Sequence, residues 1–191
     1  MLATFSGSYM NVAVKCALSH NPKLGFQEHF VKPVLADFSD NDTFLHSLTA
    51  GIASIECSNF FSTHIGKSQT DQKLLVAGFQ KIAAAALRNA IKKVQRSIEH
   101  CPSPTNRDSI DIFGKGDEFV VVVELDKNRA DQVAKKFVSR MALFPSTKVY
   151  FVSLCYPGTE KMNKAECTKY FGYCSALALR MGCHYAGFIV E

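Results

Sequence analysis

The sequence lacks several features that would assign it to a class at once. No apolar run approaches the roughly 18 residues that a membrane span needs, and Asn11, Lys15 and His20 interrupt the weakly apolar start. We therefore expect neither a membrane partner nor a secretory signal. The seven cysteines include no Cys-x-x-Cys pair, and scattered, unpaired cysteines are typical of a reducing compartment. The sequence predicts a cytoplasmic protein whose cysteines are mostly small core residues.

Internal repeats, low-complexity tracts and zinc-type clusters of cysteine and histidine are also missing. What remains is an ordinary globular composition, with 47% hydrophobic and 20% charged residues, which is enough apolar mass for a core. A length of 191 residues fits one domain, or one domain with an extension. The formal net charge of +5 permits a polyanionic partner without requiring one.

The clarity of the sequence patterns changes near residue 70. Residues 1–70 carry short apolar clusters between polar breaks, and we interpret them as an N-terminal extension packed on the core. Within this extension, Asp42 or Thr43 can cap a short helix. Residues 71–191 show firm periodicity and form the predicted core.

The core elements follow one another in a regular order. An amphipathic helix is predicted from Asp71 to about His100, and two strands that form a hairpin follow it. Next come a helix that ends near Phe144, the strand Lys148–Cys155, the helix Lys164–Met181 and the strand His184–Val190. A helix between two strands of one sheet implies a parallel crossover. The predicted fold is therefore α/β, with a mixed central sheet flanked by helices.

The hairpin holds the most informative residues of the chain. Two apolar, β-branched runs, Ser109–Phe113 and Phe119–Lys127, flank a Gly-rich polar break. Asp111 lies in the first run, and Glu124 and Asp126 lie at the end of the second. A carboxylate in a buried strand is costly unless it is paired or binds a metal. These three acids are therefore the candidate site.

The spacing of the acids suggests their chemistry. Asp111 and Glu124 are thirteen residues apart, so a reversal at the intervening turn places them opposite one another, with Cβ atoms about 4.5–5.5 Å apart. Asp126 lies on the same face as Glu124, one pleat further on. Hard oxygen ligands of this kind select Mg²⁺ or Mn²⁺. The arrangement predicts metal-assisted attack of water on a phosphodiester.

These residues and this order of elements carry a resemblance. Over about residues 71–156, the chain resembles the PD-(D/E)XK nuclease superfamily. The shared order is a helix, a strand with an aspartate among aliphatic residues, a strand that ends in an acid beside a lysine, a helix and a further strand. The resemblance implies a restriction-endonuclease-like core (helix-strand-strand-helix-strand) and a Mg²⁺-dependent DNA endonuclease of restriction or repair type. It matches Asp111 to the first metal-binding acid and Glu124 to the second.

The sequence departs from the family pattern at the lysine. The resemblance implies a lysine two residues after the second acid, where it would orient the attacking water, but Asp126 stands there and Lys127 follows it. On a regular strand Lys127 would point to the opposite face from Glu124. Three interpretations remain open: a bulge re-aims Lys127, Lys135 or Lys136 reaches in from the next helix, or catalysis has been lost.

Other interpretations also remain open. Asp126 can serve as a helix N-cap instead of a third metal ligand, and Asp108 can replace Asp111 if the turn is shorter. The leading hypothesis makes Asp111, Glu124, Asp126 and Lys127 catalytic, with the three acids as metal ligands, DNA as the partner and a homodimer possible. Its rivals are an inactive nucleic-acid-binding or assembly protein on the same fold and a small-molecule phosphate hydrolase on another α/β sheet.

Overall fold

A computed structural model describes residues 31–61, 66–92, 94–102, 109–156 and 160–191. These residues form one six-stranded sheet with helices on both faces. The strands and helices, in chain order, are β1 (Pro33–Phe38), α1 (Thr43–Ala53), α2 (Ser58–Phe61), α3 (Gln69–Ala90), β2 (Gln95–His100), β3 (Ile110–Lys115), β4 (Phe119–Asp126), α4 (Asp131–Met141), β5 (Lys148–Cys155), α5 (Lys164–Arg180) and β6 (His184–Val190).

The sheet is mixed, in the order β1-β6-β5-β4-β3-β2. Strands β2, β3 and β4 are antiparallel neighbours, whereas β4, β5 and β6 run parallel and β1 closes the far edge antiparallel to β6. The parallel part requires the crossovers that α4 and α5 supply. The carboxyl ends of β4, β5 and β6 therefore meet at one edge of the sheet.

The core lies in two layers, one on each face of the sheet. Side chains of β4 alternate between them: Val121 and Val123 pack under α1 and α3, and Val120 and Val122 pack under α4 and α5. Both faces are buried, which explains the nearly continuous apolar runs of β4 and β5. Of the cysteines in the described ranges, only Cys101 is exposed.

Several expectations about the fold are confirmed. The structure is α/β with a mixed sheet, and the strands Lys148–Cys155 and His184–Val190 have the predicted limits. Asp42 caps α1, because its Oδ1 accepts hydrogen bonds from the N–H groups of Phe44 and Leu45. No helix within the described ranges is both long enough and apolar enough to cross a membrane.

The predicted helix from Asp71 to about His100 is wrong over its last third. Helix α3 ends at Ala90, Ile91 is extended (φ −132°, ψ 91°), and residues 95–100 form the edge strand β2. Val94 and Ile98 are four residues apart, a spacing that keeps two side chains on one face of a helix and also on one face of a strand. Pairing of β2 with β3 decides between the two.

The part of the predicted extension that the structure describes joins the same sheet and core. Strand β1 hydrogen-bonds with β6, and Leu48 of α1 is fully buried against α3. The alternative in which Asp126 caps the following helix is wrong: Ala130 occupies the N-cap position of α4 without a side-chain hydrogen bond. Asp126 is the last residue of β4 and faces the site described next.

Candidate active site

The β3–β4 hairpin brings two of the predicted acids together. Its register pairs Ile112 with Val123, so Asp111 and Glu124 are the next residues along the two strands. Asp111 Oδ2 accepts a hydrogen bond from the main-chain N–H of Leu125 at 2.8 Å, and its carboxyl group is in hydrogen-bonding contact with that of Glu124. The expected juxtaposition of these two acids is confirmed.

One ammonium group from α4 joins all three acids. Lys136 Nζ lies 3.0 Å from Glu124 Oε2, 3.1 Å from Asp126 Oδ1 and 3.6 Å from Asp111 Oδ2. It also donates to the carbonyl oxygen of Leu125 at 2.9 Å. Four oxygen atoms therefore surround a single amine, and 28% of the Lys136 side chain remains exposed to solvent.

A second cation holds the deeper side of the site. Arg140 Nε donates to Glu124 Oε1 at 2.6 Å, and its NH2 group donates to the carbonyl oxygen of Ser109 at 2.8 Å. Both side chains of the ion pair are buried, Glu124 to 1% and Arg140 to 7% exposure. Glu124 is thus held at both carboxylate oxygens, one by Lys136 and one by Arg140.

A buried glutamine supports Asp111 from the other face of the sheet. Gln80 of α3 is only 3% exposed, and its Nε2 donates to Asp111 Oδ1 at 3.0 Å and to Glu99 Oε1 at 2.6 Å. Glu99 has a positive φ of 50°, unusual for a residue with a side chain, and its Oε2 accepts from Ser109 Oγ. These bonds fix the direction of the Asp111 carboxylate.

Burial dominates the electrostatics of the acids. Burial raises the pKa of Asp111 to about 7, Glu124 adds to the rise, and Lys136 opposes it. The pKa of Asp126 is also raised by burial against the attraction of Lys136. The pKa of Lys136 is raised, because the three carboxylates outweigh its own desolvation. The site therefore holds its lysine charged and leaves Asp111 able to exchange a proton near neutral pH.

The structure does not bring every predicted residue to this site. Lys127 Nζ donates to Gln72 Oε1 on α3 at 2.7 Å, on the face opposite to α4, as strand alternation requires. Of the alternatives for the lysine, the geometry matches the one in which Lys136 reaches in from the helix. Lys135 is exposed. Asp108 lies outside the described residues.

Lys136 and Arg140 are the residues whose importance the sequence understated. Both lie on the same stripe of α4 as Val133 and Phe137, the buried positions of that helix. Charged residues at core-facing helix positions imply buried partners, so this signal was present in the sequence. Gln80 gave a weaker signal of the same kind, as a polar residue between the apolar positions Phe79 and Ala83.

The acids fit a metal only in a limited way. Within the described ranges, no group of three or more Asp, Glu, His or Cys side chains is placed to hold a metal ion. Two carboxylates suffice for Mg²⁺, however, since it takes the rest of its shell from waters and substrate phosphate. Asp126 Oδ2 is buried and has no hydrogen-bond partner among the residues the structure describes, which leaves a hard oxygen with spare capacity beside the pair Asp111 and Glu124.

No family model, curated protein or solved structure matches this chain. The assignment of a function therefore depends on the residues of the site and on their chemistry.

Proposed function

We propose that the protein is a Mg²⁺-dependent DNA nuclease that hydrolyses phosphodiester bonds. The observation that carries the proposal is the contact of one lysine with both hairpin acids: Lys136 Nζ lies 3.0 Å from Glu124 and 3.6 Å from Asp111. Two carboxylates and a lysine at the end of a hairpin are the constellation that the resemblance to PD-(D/E)XK nucleases implies. The lysine comes from the following helix instead of the strand.

The topology gives further support. An antiparallel hairpin, a crossover helix and a parallel strand follow a long helix, which is the order of elements on which the resemblance rests. The additional strand β2 lies between α3 and the hairpin in the chain and forms the edge of the sheet beside β3, and the final α5–β6 unit adds β6 beside β5. DNA as the partner and a homodimer remain predictions.

Each residue has a defined role in the proposal. Asp111 and Glu124 would hold Mg²⁺, with Asp126 beside them, and the bound ion would supply charge stabilisation and an activated water. Lys136 orients the attacking water and stabilises the negative charge that develops on the phosphate, an effect commonly worth about 3 kcal/mol for one well-placed donor. Arg140 holds the Glu124 carboxylate in place, and Gln80 keeps Asp111 aimed at the same point.

The test is cleavage of labelled DNA with Mg²⁺ or Mn²⁺. We expect wild-type protein to cut, and Asp111→Asn, Glu124→Gln and Lys136→Met to reduce the rate at least about 100-fold. Lys135→Met, beside Lys136 on α4 and exposed, is the matched control that should cut normally. Undiminished cleavage by the three site variants would mean that the active site lies elsewhere.

One observation favours a second candidate, a nucleic-acid-binding protein without hydrolysis. Both carboxylate oxygens of Glu124 already have cationic partners, which satisfies this acid without a metal. If wild-type protein binds DNA but cuts no DNA across metals and substrates, this second function replaces the first. Binding through lysine and arginine contacts to phosphates should then weaken steeply with salt.

A further inference from the structure

A cavity of about 640 Å³ opens beside the turn of the β3–β4 hairpin. It lies between that turn and the connection from α4 to β5, on the side of the sheet that α4 covers. Its volume is within the range of small-ligand sites. None of Asp111, Glu124 and Asp126 lines this cavity, which is therefore distinct from the candidate active site.

One side of the cavity is a stack of three aromatic rings. The His100 and Phe113 rings are 4.1 Å apart between centroids and within 9° of parallel, and the Phe113 and Phe144 rings are 5.7 Å apart and within 15°. Phe113, in the middle, is 7% exposed, whereas His100 and Phe144 are half-buried. All three line the cavity. A stack whose end members remain partly exposed can accept one more flat ring.

We propose that this cavity binds an unpaired nucleobase of the nucleic acid substrate, stacked on the exposed side of the aromatic rings. Polar groups around it can meet the edges of a base: Lys115 and Thr147 offer donors, and the Asp117 carboxylate can accept from an exocyclic amino group. Stacking on aromatic side chains is the usual way in which proteins hold unpaired bases. This inference rests on the proposed function, because it concerns the substrate of the same site.

The cavity lies within reach of the reacting phosphate. Phe113 follows Asp111 by two residues on β3, a distance of about 7 Å along a strand. Helix α4 carries Lys136 and Arg140 towards the acids, and Phe144, which lines the cavity, follows that helix three residues after its end. A nucleotide next to the phosphate at Lys136 can therefore place its base among the rings. The substrate class that follows is single-stranded DNA, or DNA with an unpaired base beside the cleavage point.

The test is a binding experiment that needs neither metal nor cleavage. Fluorescence anisotropy in EDTA compares a labelled single-stranded deoxyoligonucleotide with an abasic chain of the same length. We expect wild-type protein to bind the base-containing strand about tenfold more tightly than the abasic one. Phe144→Leu and, separately, His100→Leu should lower that ratio towards one, whereas affinity for the abasic strand should stay unchanged.

The control is Tyr173→Leu, which removes an exposed ring (61%) on α5 and should keep the wild-type ratio. Equal affinity of wild-type protein for both strands, or a ratio that survives in both variants, would overturn the inference. A preserved ratio in protein that cuts no DNA would refute the nuclease and keep the base site. Cleavage by protein that shows no preference for the base-containing strand would support the nuclease and refute the base site.

Discussion

At the scale of single residues, Lys136 determines the charge balance of the site. Asp111, Glu124 and Asp126 lie around its amine, and Arg140 supplies a second positive charge to Glu124. Such a buried group of charges costs desolvation energy that its mutual attraction only partly offsets. Residues of this kind are rarely retained for stability alone, which is why their concentration at one hairpin is an indication of function.

Arg140 should be the more important of the two cations for stability. Arg140→Met leaves Glu124, which is 1% exposed, with one partner instead of two, so the free energy of unfolding should fall by about 3 kcal/mol. Urea denaturation measures the change, and adding Glu124→Gln should recover part of it. Arg129→Met is the control: its pair with Asp131 is solvent-exposed, so its loss should change the free energy of unfolding far less. Equal losses in both variants would contradict the buried role of Arg140.

The raised pKa of Asp111 predicts a pH dependence with a definite sign. Burial raises it from 3.8 to about 7 in the folded protein, so the folded state binds this proton more tightly than the unfolded chain does. The resulting stabilisation is complete below the unfolded value and is lost as the pH rises through about 7. Between about pH 5 and about pH 8, the urea midpoint of the wild type should fall more than that of Asp111→Asn. Parallel profiles would show that Asp111 is not the group responsible.

At this scale the sequence predicted the contact between the two acids and left open which lysine reaches them. Asp111 and Glu124 could be paired because a hairpin fixes which residues face one another. Lys127 is close to the second acid in sequence, yet strand alternation turns its side chain to Gln72 on the other face of the sheet. The position of the Lys136 side chain depends on how α4 is rotated against the sheet. In the sequence, the only sign of it is that Lys136 lies on the core-facing stripe of that helix.

At the scale of elements, the sequence predicted strand limits correctly where a short apolar run lies between clear polar breaks. Strand β5 and strand β6 are short apolar runs between clear breaks, and their limits were predicted correctly. Strand β2 was missed because an edge strand with the polar sequence Gln95–His100 carries almost no period of its own. Only its pairing with β3, a tertiary contact, defines it.

The packing of α5 on β6 makes a sharp prediction at this scale. A Cβ added at Gly187 would lie less than 3.0 Å from three atoms of the Phe171 ring, which is fully buried. Gly187→Ala should therefore destabilise the protein by about 1–3 kcal/mol. Gly172→Ala, one residue after that phenylalanine, meets its nearest atom at 3.6 Å and should stabilise helix α5 by up to about 1 kcal/mol. Thermal unfolding of the two variants measures both changes, and a shift of the same sign in each would be inconsistent with this packing.

At the scale of the whole molecule, the described part of residues 1–70 belongs to the same sheet and core as the site. Strand β1 covers the edge of β6, and α1 packs Leu45, Leu48 and Ile52 against α3. Helix α3 in turn positions Gln80 against Asp111. The sequence could not show this, because the change from weak to firm periodicity near residue 70 does not determine which distant strands pair.

A chain that begins at Ser68 should therefore fail to form the native fold. It would lose β1, α1 and α2, expose the apolar face of α3 and remove Phe61 from its stacking contact with Tyr156, at 4.2 Å. It would also leave β6 as an open edge strand that can pair with other chains. We expect broad, non-cooperative thermal unfolding and large species in size-exclusion chromatography. The full chain with Leu48→Ala is the control, since it should lose about 2–5 kcal/mol yet unfold in one cooperative step. A truncated chain that melts as sharply as the full one would establish residues 68–191 as an independent domain.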